Sequence, residues 1–114
     1  MMKKKSIRIR CWIDIDGEKF FGPGPAQLLE FIEQEGSIAK AAKKMSMSYK
    51  KAWDLIVEMN SRGQKPYVVA RKGGEKGGGA AVTKNGKDVL ARYGRLTAKL
   101  NAVVKKNSGI LKWI

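Results

Sequence analysis

Residues 36–60 of this 114-residue chain, GSIAKAAKKMSMSYKKAWDLIVEMN, restrict its fold more than any other stretch. Two amphipathic helical patterns lie here, separated only by a short break around Ser46. In the first pattern the apolar residues at positions 38, 41, 42 and 45 share one side, and the lysines at 40, 43 and 44 lie opposite. Ser37 is suited to cap the first helix, and either Ser46 or Ser48 to cap the second. Two short helices joined by so tight a turn predict a helix-turn-helix.

The second helix of this pair is predicted to have two faces. A step of about 100° per residue places Tyr49, Ala52, Leu55, Ile56 and Met59 on one side, where they would pack on the preceding helix. Trp53 and Val57 lie on the margin, so periodicity does not decide between core and surface. In a helix-turn-helix the start and open face of the second helix meet DNA. The residues predicted to read DNA are Ser46, Met47, Ser48, Tyr49, Lys50, Lys51 and Asp54, with Tyr49 equally suited to the core.

The charge of the chain indicates the kind of partner. It carries 24 Lys and Arg against 10 Asp and Glu, a net charge of +14. Such an excess in a chain with periodic patterns points to a polyanion, most often nucleic acid. A membrane surface is the competing polyanion, but we find no 18-residue apolar run and no cationic amphipathic helix with an aromatic face. The alternative for the lysines beside the helix-turn-helix is an ordinary solvated surface.

A β-hairpin is predicted over residues 6–22. An apolar residue stands at every second position from Ile7 to Ile15, alternating with Arg8, Arg10, Trp12 and Asp14, which indicates a half-buried strand. Asp16-Gly17 then predicts a tight turn into a short returning strand over residues 19–21.

A helix in front of the helix-turn-helix completes a three-helix unit. It is predicted over residues 26–35, with Leu28, Leu29, Phe31 and Ile32 facing a core. Pro25 suits its first turn, and Gly36 suits the position just past its end. Residues 25–61 are therefore expected to hold three helices.

The single cysteine, Cys11, is interpreted as an inert hydrophobe within the first strand. It excludes an intramolecular disulfide and fits a reducing compartment, and no apolar segment follows the basic start MMKKKS. We therefore expect a cytoplasmic protein. Since the chain has no histidine and no cluster of metal-ligating residues, the acid, base and nucleophile roles have few candidates, so an enzyme is not expected.

A second hairpin is predicted over residues 67–83, directly after the second helix of the pair. Residues 67–71 and 80–83 read as strands on either side of a glycine-rich tip. The tip lacks the G-K-[ST] end of a nucleotide-binding loop and leads into a strand rather than a helix. A hairpin in this position is the wing of a winged helix, although a solvated loop is the plain alternative. The residues predicted to touch the DNA backbone or minor groove are Ser37, Lys40, Lys43, Lys44, Arg71, Lys72, Gly73, Gly74, Lys76 and Gly77.

The last long helix is predicted over residues 84–106, with Thr83 as its N-cap. Apolar residues recur along it at spacings of 4, 3, 4 and 3, which is a narrow seam. Packing on its own domain explains part of the seam, but a two-fold dimer contact is also expected there. The predicted dimer residues are Val89, Tyr93, Leu96, Leu100 and Val103.

Three runs, GSIAKAAKKMSMSYKKAW, EMN and VVARKGGEKGGGAAVTKNG, resemble the N-terminal DNA-binding domain of ModE-type molybdate-responsive regulators, which share helix-turn-helix ancestry with LysR-type regulators. The resemblance covers about residues 6 to 105. It implies a winged helix, a cytoplasmic prokaryotic protein, a homodimer and sequence-specific binding to promoter DNA. It also implies that Ser48, Tyr49, Lys50 and Lys51 head the recognition helix, and that Arg71 with Gly73, Gly74, Gly77, Gly78 and Gly79 form the wing.

The chain departs from the family at one point. Full-length regulators of the family carry a C-terminal molybdate-binding region, and these residues end after the linker helix. We therefore expect no cofactor in this chain, and no small-molecule effector is evident.

The sequence as a whole predicts an α+β winged helix-turn-helix with an N-terminal β-hairpin and a long C-terminal dimerisation helix, in one domain over residues 1–114. The expected function is homodimeric, sequence-specific regulation of transcription on double-stranded DNA. The alternative is a non-specific or architectural nucleic-acid binder, including an RNA binder.

Overall fold

Three helices form the centre of the fold in the computed structural model, which describes residues 3–71 and 79–114. Two short hairpins flank them and a long helix follows. In chain order the elements are β1 (Ile13–Ile15), β2 (Glu18–Phe21), α1 (Pro23–Glu35), α2 (Ile38–Lys44), α3 (Tyr49–Arg62), β3 (Val68–Arg71), β4 (Gly79–Val82), α4 (Lys84–Lys106) and a 3₁₀ helix (Ser108–Trp113). Of the helices in the described ranges, none is long and apolar enough to cross a membrane.

The core lies between α1, α2 and α3 and is closed by β2. Its largest fully buried side chains are Phe21, Leu28, Leu29, Ile32 and Met59. The predicted inner face of α1 is therefore confirmed at Leu28, Leu29 and Ile32. Burying side chains of this size contributes about 1.5–3 kcal/mol each to folding.

Helix α1 begins three residues earlier than the periodicity predicted. Gly22 is its N-cap, and the prolines at 23 and 25 both lie in the first turn, where a missing N–H costs nothing. At the other end Gly36 has a φ of 67°, and its N–H donates to the Ile32 carbonyl at 2.7 Å. The prediction that Gly36 ends this helix is confirmed, since the left-handed region favours glycine.

The N-terminal hairpin is shorter than predicted. Its turn is confirmed, because Asp16 and Gly17 have φ values of 52° and 79°, as a two-residue turn between twisted strands requires. The prediction of one long strand over residues 7–15 is wrong, since only Ile13–Ile15 pairs with β2. Strand β2 has four residues and leads directly into α1, so residues 7–12 have no strand to pair with in the described part of the chain.

Arg62, at the end of α3, fastens this hairpin to the helical core. Its guanidinium donates to the carbonyls of Ile15 at 3.1 Å, Lys19 at 3.0 Å and Glu18 at 3.4 Å. It also lies 3.3 Å from a carboxylate oxygen of Glu58, one turn back on the same helix. Three carbonyls around one tight turn therefore depend on one side chain.

We expect Arg62→Ala to lower the free energy of unfolding by about 1.5–3 kcal/mol, the range for hydrogen bonds to a charged group. Urea unfolding at fixed protein concentration would measure it. Glu58→Gln is the matched control, because it removes only the exposed ion pair and should cost less than about 1 kcal/mol. Equal losses for the two variants would show that the carbonyl contacts do not stabilise the hairpin.

The wing strands form a second sheet. β3 and β4 are antiparallel, with Val68 opposite Val82 and Arg71 opposite Gly79. Among the described residues this sheet is separate from the N-terminal hairpin. The Ala80 N–H donates to the Gly36 carbonyl at 3.0 Å, which docks the returning strand on the end of α1.

Candidate nucleic-acid interface

The turn between α2 and α3 sets the position of the second helix. Ser46 has a φ of 54°, and the Met47 N–H donates to the Ala42 carbonyl at 3.0 Å, five residues back. This pattern is a Schellman ending of α2. It uses Ser46 as the left-handed residue of the turn, so Ser46 is not a helix cap. Met47 was predicted to read DNA, but it is half-buried and packs against the core.

The start of α3 is capped and cationic. The Ser48 hydroxyl accepts from the Lys51 N–H at 3.1 Å, so the N-cap of α3 is Ser48 and not Ser46. Lys50 places its ammonium 3.0 Å from a carboxylate oxygen of Asp54, and both side chains are well exposed. Lys51 is exposed and has no carboxylate partner among residues 3–71 and 79–114. The positive charge of Lys51 is therefore available to a phosphate.

Helix α2 adds three more exposed lysines beside this start. Ala41 and Ala42 are buried, whereas the lysines at 40, 43 and 44 point outward, as predicted. Ser37 was predicted both as a cap and as a DNA contact. Its hydroxyl accepts from the Lys40 N–H at 3.2 Å, which confirms the cap.

The exposed surface of α3 also carries the apolar side chains of Tyr49, Trp53 and Val57. Tyr49 was predicted as a DNA contact and was equally suited to the core, and its 54% exposure excludes the core placement. Tyr49 stacks on Trp53 with ring planes 13° apart. Trp53 and Val57, left on the margin above, are 47% and 45% exposed.

Asn60 fixes the wing relative to α3, a role that the sequence reading missed. Its carbonyl oxygen accepts from the N–H groups of Tyr67 at 2.7 Å and Val68 at 3.3 Å. Its amide donates to the Val68 carbonyl at 2.9 Å. Burial beside this contact raises the pKa of the Tyr67 phenol. An asparagine in the last turn of a helix, shortly before a strand, was the available signal.

Only one of the predicted wing cations lies in the described part of the wing. Arg71 donates from its guanidinium to the Ala80 carbonyl at 3.4 Å, so it lies along the hairpin. The other predicted wing contacts, Lys72, Gly73, Gly74, Lys76 and Gly77, lie outside the described residues, as does Gly78. The structure therefore places the base of the wing beside α3.

Helix α4 divides its apolar seam into two parts. Tyr93 is buried and Val89 packs against the same core, so these two residues of the predicted dimer seam serve their own chain. Leu96 is 40% exposed and Val103 is 58% exposed, while Leu100 is half-buried. The domain covers only the first part of α4, so the seam is more exposed after Tyr93.

Cys11 and Tyr93 join the N-terminal segment to α4. The Tyr93 hydroxyl donates to the Cys11 carbonyl at 2.8 Å. Burial, with a smaller contribution from Cys11, raises the pKa of the Tyr93 phenol, so the phenol stays a donor at neutral pH. Within the described ranges, no three Cys, Asp or Glu side chains are grouped so that they could hold a metal ion.

Comparison with known proteins adds to this geometry. The molybdenum transport protein ModE of Azotobacter vinelandii is 43% identical over 99 residues, which are 87% of this chain and 37% of that protein. The DNA-binding transcriptional dual regulator ModE of Escherichia coli K12 is 40% identical over 74 residues, 65% of this chain and 28% of that protein. The chain is a relative of the ModE regulators. It spans about a third of the length of these relatives.

The fold itself has a solved counterpart. The crystal structure of ArgP from Mycobacterium tuberculosis matches with a TM-score of 0.54 at 13% identity, over 75% of this chain and 30% of that one. The predicted winged helix-turn-helix fold is thereby confirmed. No protein-family model matches the chain.

Proposed function

We propose that this protein is a sequence-specific regulator that binds double-stranded DNA as a homodimer, with α3 in the major groove and the wing on the backbone or in the minor groove. The observation that carries the proposal is the capped, exposed and cationic start of α3 at Ser48, Lys50 and Lys51. The hydrogen-bonded turn after α2 holds this start outward, as a recognition helix requires. The names of the ModE relatives support the same function.

The lysines of α2 supply the non-specific part of the affinity. Lys40, Lys43 and Lys44 are exposed on the helix that precedes α3, and in this motif the first helix crosses the phosphate backbone. Each phosphate that they neutralise releases condensed counterions, so binding should weaken steeply as salt rises.

Competition between nucleic acids tests this proposal. A labelled DNA duplex bound to the protein would be challenged with unlabelled duplex DNA, single-stranded DNA and duplex RNA of the same sequence. We expect duplex DNA to displace the label at the lowest concentration, since B-form DNA admits a helix in its major groove and A-form RNA does not. Preferential displacement by RNA would instead support the alternative function.

The second half of α4 is proposed as the dimer contact. Leu96, Leu100 and Val103 continue the heptad spacing beyond the part of the helix that packs on its own core. Two copies joined along this stretch would bring two α3 helices to one duplex, as a two-fold operator requires.

We expect the double change Leu96→Glu and Val103→Glu to convert the dimer to a folded monomer, because paired helices would bury four like charges. Both side chains are exposed in the single chain, so its fold should persist. The control is Ala91→Glu with Ala98→Glu, two exposed positions on the opposite side of α4. Sedimentation equilibrium would measure the mass, and a wild type that is monomeric with and without DNA would contradict the proposed dimer.

A further inference from the structure

The outer side of α3 carries a continuous apolar stripe. Tyr49, Trp53 and Val57 follow one another at intervals of four residues, so they lie along one line of the helix surface. They are 54%, 47% and 45% exposed, and the two rings stack with centroids 6.5 Å apart. We name these three residues the α3 stripe.

The α3 stripe is separate from the core that holds α3 in place. The buried residues of this helix are Ala52, Ile56 and Met59, whereas the three residues of the stripe are about half exposed. On the side toward the wing, Tyr49 and Trp53 line a groove of about 360 Å³ together with Val68. Tyr49 and Trp53 therefore form part of one wall of the space between α3 and the wing.

The surroundings of the stripe indicate a polyanionic partner. The Lys50–Asp54 pair borders it on the same helix, and Lys51 adds an unpaired charge in the described part of the chain. Three exposed lysines of α2 lie next to this helix start, and the chain carries a net charge of +14. Apolar side chains framed by cations match a DNA groove, whose phosphates flank the edges of the bases.

The major groove offers apolar side chains one partner. Each base pair shows hydrogen-bonding groups there, and the 5-methyl group of thymine is the apolar exception. We propose that the α3 stripe, and Trp53 with Val57 in particular, determines sequence specificity by packing against thymine methyl groups. This inference rests on the proposed function, because it requires α3 to enter the major groove.

Replacing thymine by deoxyuridine tests the inference, since it removes the methyl group and leaves every base-pairing group unchanged. Each thymine of a duplex enriched by the protein from a random pool would be replaced in turn. At one or more thymines of each half-site, affinity should fall about fourfold, the value for burying one methyl-sized group. Deoxyuridine placed outside the enriched site is the control and should change nothing.

Variants of the stripe assign the effect to its residues. Trp53→Ala should bind the thymine and deoxyuridine duplexes equally at the position that Trp53 contacts. Trp53 lies outside the buried core, so the variant is expected to fold, and circular dichroism with thermal unfolding would check this. Val57→Thr keeps the shape of the side chain and replaces one methyl group by a hydroxyl. It should likewise bind the thymine and deoxyuridine duplexes equally at the position that Val57 contacts.

The outcomes separate the inference from the proposed function. An enriched duplex that the wild type binds equally with thymine or deoxyuridine at every position would overturn methyl recognition and leave sequence-specific binding intact. A loss with deoxyuridine that is the same in the wild type, Trp53→Ala and Val57→Thr would overturn the assignment to the stripe. If no duplex were enriched, the proposed specificity and this inference would fail together.

Discussion

Gly86→Ala should lower the free energy of unfolding by about 1–3 kcal/mol, the usual cost of forcing an extra carbon into a packed site. Gly86 lies in the first turn of α4, where a Cβ atom would stand 2.5 Å from the Tyr67 carbonyl oxygen and 2.7 Å from a Val82 methyl carbon. The oxygen belongs to the backbone at the start of the wing, and Asn60 and Thr83 hold that backbone through hydrogen bonds. It cannot move without breaking those contacts.

Gly94→Ala is the matched control, because it makes the same change in the same helix. No atom lies within 4 Å of a Cβ placed at Gly94. Alanine should therefore stabilise the protein by roughly 0.5–1 kcal/mol, through higher helix propensity and a less flexible unfolded chain. Urea unfolding at fixed protein concentration measures both variants. Changes of the same sign would contradict the packing of α4 against the wing.

Removal of three lysine charges around the recognition helix should produce the largest loss of DNA affinity. We expect Lys43→Gln, Lys44→Gln and Lys51→Gln together to reduce the slope of log K against log salt by up to about three. At about 0.1 M salt each lost phosphate contact should weaken binding by up to about eightfold. All three side chains are exposed, so the fold should be unaffected.

The control for this triple variant changes the same number of charges elsewhere. Lys105, Lys106 and Lys112 are exposed near the far end of the chain, and their replacement by Gln gives the same net charge. Fluorescence anisotropy at several salt concentrations would compare the two variants. If both showed the same slope, binding would depend on overall charge, and the lysines beside α3 would not form the interface.

The sequence correctly predicted the turns and helix ends, whose conformation depends on residues close together in the chain. The Asp16-Gly17 turn, the Gly36 helix end, and the Ser37 and Thr83 caps each depend on residues within a few positions, and the structure has all of them. The prediction of a long N-terminal strand was wrong. Alternation shows only that a segment can form a strand, and pairing also needs a second strand of equal length.

The candidate site was less predictable, because it depends on where the core ends. Periodicity places Tyr49 with Ala52 and Ile56 on one side of α3, but Ala52 and Ile56 are buried whereas Tyr49, the first residue of the helix, is 54% exposed. Similarly, the α4 seam is continuous in sequence, and only the packed domain shows that Tyr93 faces its own core and Val103 does not. Asn60 connects α3 to the start of the wing by hydrogen bonds, and no local sequence pattern shows that these two elements lie side by side.

Selection of bound duplexes from a random pool, with the mass of the complex measured at low and moderate salt, tests the central proposal most directly. We expect an enriched inverted repeat, bound by two chains per duplex and retained at moderate salt. A pool without enrichment, with binding that disappears as salt rises, would contradict sequence-specific regulation and leave an electrostatic binder of nucleic acids.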